Sequence, residues 1–367
     1  MQSFSFGSSV PLHFGRGAVR ENLVRVLGGA RKVLLLSGKE SAAKSGALED
    51  VREALTCAGI AFAERNGVVR GFAASDVRDA ALLCTKEACG AVVSIGGGAV
   101  QDFGKLLSRE LPGLRQAAVP TGLGTGAGLN GDAWLRDPES GEGSFVPCPA
   151  PVAAIVDPAY LETLGKEDFF SGAFFAFGRL AETYLAPAPA LSASDGMNEG
   201  LQKTVFDSLV RLESDIWDRD ARDVLLVASA ALGSKVLRAG KADPSPAFLA
   251  SMRLSSVSGC RPGDALSAVL PFFLRKQFGK DVRKFSHWAS RVWGIDDPDL
   301  SIEERGRQGV EALAAFIREL GLPTRLTSIG CGEEMVKEVA NTFEMEALEE
   351  VGLTRDDLRG ILAEALE

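Results

Sequence analysis

The sequence predicts an α/β domain built on a mostly parallel sheet over residues 1–165, followed by an all-helical domain over residues 166–367. Three observations carry this reading. Short apolar runs alternate with stretches of helical spacing in the first half. Several of those runs stop in glycine-bearing loops, and strand-like runs nearly vanish beyond Asp157-Pro158. At 367 residues the chain has ample length for two cores.

Taken in order, Arg31–Ser37 (RKVLLLS) is a continuous apolar run closing on Gly38, the pattern of a strand buried on both faces. Ala42–Cys57 has helical spacing, and Ile60–Ala63 is a second, weaker strand. Ser75 stands as the N-cap of a helix through Ala80, Leu83 and Ala88. Ala91–Ile95 runs straight into Gly96-Gly97-Gly98, a helix follows over Ala99–Arg109, and Gln116–Val119 ends in Pro120-Thr121. Strand and helix alternating at this spacing make βαβ units. From Lys166 onward helical periodicity takes over, punctuated by Pro187-Ala188-Pro189 and Asp243-Pro244-Ser245-Pro246.

Composition narrows the chemistry. The chain carries only two histidines, His13 and His287, so a site needing two or three clustered imidazoles is nearly excluded by counting. A net charge of −9 argues against nucleic acid or an anionic membrane as partner, while leaving room for a local basic pocket. The expectation is a cytoplasmic protein. No secretory pattern opens the sequence, no apolar run reaches membrane-spanning length, and the six cysteines are scattered without a C-x-x-C pair.

The glycine loops point to a nucleotide. Gly96, Gly97 and Gly98 let backbone N–H groups approach a pyrophosphate, and the helix that opens there adds a favourable dipole. An isolated Gly-Gly-Gly could equally be a tight turn, and it is not the G-x-G-x-x-G fingerprint. The second loop, Val119–Gly128 (VPTGLGTGAG), places Thr121 and Thr125 among four glycines, including Gly126, and a third candidate is Ser37-Gly38-Lys39-Glu40-Ser41. Loops at consecutive strand ends would meet at the carboxyl edge of a parallel sheet, where such folds bind ligands.

These segments also carry a resemblance. Phe14-Gly15-Arg16-Gly17, the GGGAVQDFGK run and PTGLGTGAG resemble, in order and spacing, the iron-dependent alcohol dehydrogenase superfamily, closest to its butanol-dehydrogenase-like branch. Asn130-Gly131, Val292–Asp296, Leu320–Pro323 and Leu353–Asp357 extend the similarity over nearly the whole chain. The resemblance implies a nucleotide-binding α/β domain, a helical domain and a homodimer. It puts Gly97, Gly98 and Asp102 at the pyrophosphate, with Thr121 and Thr125 nearby. An acidic residue after the first strand would select NAD. Gly38, flanked by Lys39 and Ser41, favours NADP instead, and Glu40 keeps NAD open.

The resemblance also implies a divalent metal held by an Asp and a His one helical turn apart and by two later histidines. Registered on Glu182 and Tyr184, those positions hold Phe175 and Arg179, then Phe248 and Pro262, with Met252 in place of a further active-site histidine. None of these side chains is a metal donor at working pH except through methionine sulfur. The expectation is therefore no metal, although the family's small carbonyl or alcohol substrate is retained. In one reading the chain is a metal-independent oxidoreductase with Arg179 stabilising the developing alkoxide and Tyr184 donating a proton. Arg253 and Arg261 could orient an anionic substrate or simply form salt bridges. In a second reading the scaffold binds a nucleotide or phospho-ligand without catalysis, and Phe174, Phe175, Phe177 and Phe248 plug the old metal chamber. A lyase or isomerase acting on a phosphorylated substrate is a third.

Overall fold

The computed structural model describes residues 10–136, 143–187, 192–241 and 245–367. They fall into two compact units. One runs to Gly165 and includes Ser229–Ser234, and the other comprises Lys166–Ala228 and Lys235–Glu367.

The α/β unit is built from β1 (Leu12–Phe14), α1 (Ala18–Leu27), β2 (Lys32–Ser37), α2 (Ser41–Lys44), α3 (Ala47–Cys57), β3 (Ala61–Arg65), α4 (Ala74–Lys86), β4 (Ala91–Gly96), α5 (Gly98–Glu110), β5 (Arg115–Pro120), β6 (Asp132–Arg136), β7 (Gly143–Pro147) and β8 (Ala153–Val156). Six strands form one sheet in the order β1-β8-β5-β4-β2-β3, parallel at every pairing, and β6-β7 is a separate antiparallel pair.

Side chains alternate across this sheet. Val33 and Leu35 of β2, with Val93 and Ile95 of β4, pack under α1 and α3, whereas Leu34, Leu36 and Val92 pack under α4 and α5. The chain thus leaves β2 toward one face and β4 toward the other. That reversal between neighbouring strands is the topological switch point at which doubly wound sheets open a crevice. Register brings the two ends level, with Ser37 opposite Ile95 and Gly96 opposite Pro120.

The anticipated strands and helices of this half all form, with three differences. The helix expected over 42–57 is two helices, because Gly46 at φ +82° breaks the backbone between α2 and α3. The helix expected from Ser75 starts at Ala74, with Ala73 as its N-cap residue and its amide held by the Asp76 carboxylate at 2.8 Å. β1, β6, β7 and β8 are additional. β1 and β8 are short: β1 pairs only with β8, Leu12 to Phe14 against Ala154 to Val156, and β8 also pairs with β5.

The second unit is helical throughout: α6 (Lys166–Leu185), α7 (Ala193–Ser214), most of α8 (Arg219–Ala231), α9 (Pro246–Ser258), α10 (Pro262–Gln277), α11 (Val282–Trp293), α12 (Ile302–Glu319), α13 (Glu333–Asn341), α14 (Met345–Glu349) and α15 (Arg355–Leu366). Two glycines let α6 and α10 approach closely. A Cβ on Gly178 would lie 2.7 Å from the Leu266 side chain, and one on Gly263 would overlap the Ser171 carbonyl. Beside them Phe177, Phe206 and Phe316 surround Trp293 with ring centroids 5.5–5.8 Å from its own. Among the described residues no helix is long and apolar enough to cross a membrane. Of the two proline punctuations, residues 188–191 and 242–244 lie outside the described residues.

Candidate functional site

The glycine loop after β4 is held from beneath by buried polar groups. Gln101 donates from Nε2 to the carbonyls of Ser94 and Gly96, both at 3.0 Å, and Gln116 donates to Ser94 Oγ at 2.9 Å and to the Gln101 carbonyl at 3.0 Å. Gly104 makes room for this network, since a Cβ there would collide with Ser94 Oγ and sit 2.5 Å from Gln116 Nε2. The strand end is therefore fixed before any ligand arrives.

Above that base the predicted residues gather. Gly97 is the N-cap of α5, and the space where its Cβ would project is open to 4 Å. A Cβ on Gly98 would lie 3.0 Å from the Thr125 side chain, which brings the two glycine loops into contact. Thr121 donates its backbone N–H to the Gly96 carbonyl at 3.2 Å, while its buried hydroxyl makes no hydrogen bond. On the other side of the switch point Gly38 faces Val100 of α5 and Ser41 Oγ at van der Waals distance. Lys39 and Ser41 are exposed where α2 begins, and the neighbouring Glu40 carboxylate pairs with Lys44 at 2.5 Å, which holds its pKa below the usual range. The Gly98 and Ala99 amides at the start of α5, an uncovered glycine and an unpartnered hydroxyl fit a dinucleotide pyrophosphate.

Two of the expected cofactor residues have other work. Asp102 is buried, 2.8 Å from the Lys105 ammonium, and accepts the Trp134 N–H at 3.2 Å. Lys105 is wholly buried and also donates to Asn130 Oδ1 at 2.9 Å and to the Asp132 carbonyl. The pair ties α5 to β6, and Asp102 faces this inner network rather than the open side of Gly97. Lys105 belongs to none of the glycine-loop motifs, and its i, i+3 spacing from Asp102 is the one sequence signal of the pair. Gly126 at φ +62° is a packing glycine: a Cβ there would lie 2.5 Å from the Gly233 amide nitrogen. It seats the loop on residues 229–234.

In the helical unit three of the four positions inferred for metal ligands come together, with other chemistry. The rings of Phe175 and Phe248 lie 5.4 Å apart, and the Arg179 guanidinium sits 4.3 Å over Phe248 while donating to Ser245 Oγ. Pro262 is the first residue of α10, and Met252 lies within α9. Two aromatic rings and a guanidinium offer no lone pair, so the residues present do not fit a divalent metal. Among the described residues no group of three or more His, Cys, Asp or Glu side chains is disposed to hold one.

Glu182 was only a register marker in the sequence. In the structure its buried carboxylate accepts the amide N–H groups of Ala247 at 2.7 Å and Phe248 at 2.9 Å, capping α9 from α6. No local pattern signals this, because the partners are 65 and 66 residues away in sequence.

Tyr184 does not suit a proton donor. It is fully buried, its hydroxyl donates to Glu199 Oε1 at 2.8 Å, and burial pushes its phenol well above the ordinary range. Arg253 is buried against Glu344 at 3.1 Å and donates to the Thr342 carbonyl, while Arg261 joins Asp264, Glu167 and Asp168. Both arginines therefore follow the salt-bridge alternative.

The sequence profile described as iron-containing alcohol dehydrogenase matches residues 10–158. Two curated relatives span almost the whole chain. The probable NADH-dependent butanol dehydrogenase 1 of Bacillus subtilis is 24% identical, covering 93% of either chain. The NADPH-dependent aldehyde reductase YqhD of Escherichia coli is also 24% identical, covering 97% of this chain and 96% of its own. The crystal structure of NADH-dependent butanol dehydrogenase A from Thermotoga maritima superimposes with a TM-score of 0.90 at 25% identity, over 100% of this chain and 99% of that one.

The fold is that of the iron-type alcohol dehydrogenases, and residues 10–158 match the iron-containing alcohol dehydrogenase family. Its relatives are alcohol dehydrogenases and aldehyde reductases of NAD(P)-dependent type, which supports an enzyme.

Proposed function

We propose that this chain is an NAD(P)-dependent oxidoreductase that interconverts a small carbonyl compound and its alcohol without a catalytic metal. The observation that carries the proposal is the replacement of a metal donor set by Phe175, Phe248 and a positioned Arg179 guanidinium. Residues 1–165 act as the nucleotide-binding domain, with Gly38, Lys39, Ser41, Gly96, Gly97, Gly98, Thr121 and Thr125 around the dinucleotide, and residues 166–367 act as the helical domain. The bound dinucleotide supplies or accepts the hydride. Gly97 and Gly98 receive the pyrophosphate, and Lys39 with Ser41 meets the ribose phosphate of NADP. Lys44, paired with Glu40, offsets part of the carboxylate charge that would oppose the NADP phosphate. Arg179 stabilises negative charge on the carbonyl oxygen as the carbon gains hydride, and water then protonates that oxygen. The protein works as a cytoplasmic homodimer.

The test is NADPH oxidation with a panel of small aldehydes in excess chelator. Turnover unaffected by chelation supports the proposal, and turnover that requires added metal ends it.

A second reading has its own support. The Phe175–Phe248 contact fills space with apolar carbon, as a repurposed binding protein would. NADPH binding without turnover on any aldehyde would favour it.

A further inference from the structure

His287, one of the chain's two histidines, belongs to none of the segments discussed so far. It lies on α11, where Arg283, His287 and Arg291 recur every four residues and so share one helix face. Ser286 and Ser290 flank that face, and α12 brings Arg305 and Ile302 alongside. Together they line a surface cavity of about 300 Å³, at the small end of the range for small-molecule sites.

The charge in this cavity is unbalanced. Arg283 and Arg291 make no hydrogen bond or ion pair with any described residue. Arg305 donates from Nη2 to the Asp297 backbone carbonyl at 3.0 Å, and its buried Nε–H has no acceptor. Carboxylates lie close by in sequence but are engaged. Glu303 pairs with Arg307 at 2.7 Å, Glu304 accepts from Ser301, and Asp296 accepts from Ser290 Oγ. Arg283 and Arg291 stand eight residues apart on that face, with His287 between them. In a chain of net charge −9, three guanidinium groups converging without a carboxylate partner form a local exception.

We infer that this cavity is a binding site for a small phosphate-class dianion, either inorganic phosphate or the phosphate of a small phosphomonoester. Guanidinium forks match phosphate oxygens in pairs, and the Ser286 hydroxyl supplies a further donor. The chemistry selects a compact anion over an extended polyanion. Asp296, Asp297, Asp299, Glu303 and Glu304 follow directly in sequence, and the chain as a whole is acidic. Ile302, half-exposed at the cavity, gives the carbon skeleton of a phosphomonoester an apolar surface. The site is independent of the oxidoreductase proposal.

The test is calorimetric titration of the full chain with inorganic phosphate and, separately, with glycerol 3-phosphate, ionic strength being fixed with chloride. Saturable binding is expected for at least one of them. The Arg283→Glu/Arg291→Glu double variant should weaken it at least tenfold, with its thermal midpoint in phosphate-free buffer unchanged. Should that variant unfold, Arg291→Ala should still weaken binding several-fold. Gly97→Val should leave it intact, which separates this cavity from the glycine loops. Tighter glycerol 3-phosphate identifies a phosphomonoester site, and tighter phosphate a free-phosphate site. No saturable binding, binding indifferent to the arginine substitutions, loss of binding in Gly97→Val, or a preference for heparin over both small anions would overturn the inference.

Discussion

The guanidinium of Arg179 lies 4.3 Å over the ring of Phe248, at two positions where the family resemblance implies metal ligands. A cation stacked on an aromatic face is restrained in position while keeping its charge, which a mobile surface arginine would not be. If that charge stabilises the carbonyl oxygen in the transition state, Arg179→Ala should lower kcat on an accepted aldehyde by a hundredfold or more, in line with the loss of about 2.7–4 kcal/mol typical of an oxyanion donor. The Kd for NADPH, read by quenching of tryptophan fluorescence, should stay within twofold. An unchanged kcat would remove Arg179 from the mechanism.

Glu182 holds that arrangement from below, because it accepts the N–H of Phe248 itself. Replacing it by Ala leaves two amides at a buried helix N-terminus without their acceptor, which should cost about 1–3 kcal/mol. Glu182→Gln retains an acceptor oxygen and should recover part of the loss. Urea unfolding of the two variants measures the difference. Equal midpoints for wild type and Glu182→Ala would show that the cap adds nothing.

How far the sequence disclosed this molecule depended on whether a feature was local. Apolar runs such as Lys32–Ser37 and Ala91–Gly96, buried on both faces, announce themselves by composition, and Gly96–Gly98 marks the strand end by the absence of side chains. β1 carries no such signal, being three residues long and held by pairing with β8, and β8, though apolar, is only four residues long between β1 and β5. The same division runs through the site. Gly97 and Thr125 were legible as loop chemistry. The inward turn of Asp102, the capping role of Glu182 and the burial of Tyr184 are set by residues remote in sequence, so residue type alone suggested other roles.

Gly97 provides a clean test of the nucleotide cradle. Its φ of −76° suits any L-residue, and the position of its Cβ is open, so the fold has no need of glycine there. A ligand whose pyrophosphate approaches the backbone would need it. Gly97→Val should therefore keep the thermal midpoint of the ligand-free protein while weakening NADPH at least tenfold, or about 1.4 kcal/mol. Gly98→Val should fail differently, because its Cβ would press on Thr125 even without ligand. Wild-type NADPH affinity in Gly97→Val would place the dinucleotide elsewhere.

Lys284 gives a prediction in pH. It is buried beside Lys241, donates to the Ala186 carbonyl at 3.1 Å and lies 3.8 Å from the Asp195 carboxylate, which Lys241 already engages. Desolvation first, and then repulsion from Lys241, pull its pKa down to about 8 from an ordinary 10.5. Between those values the unfolded chain holds a proton that the folded protein has released, so this group makes stability rise with pH across that window. Burial raises the Tyr184 phenol, which acts in the opposite sense only above its ordinary value near 10. Measurements are therefore best confined to pH 7.5–9.5. Other groups titrate there as well, so the readout is the difference between proteins. The urea midpoint of wild type should gain on that of Lys284→Met as the pH is raised. Parallel curves would mean that Lys284 keeps its proton throughout, its charge held by Asp195 despite burial.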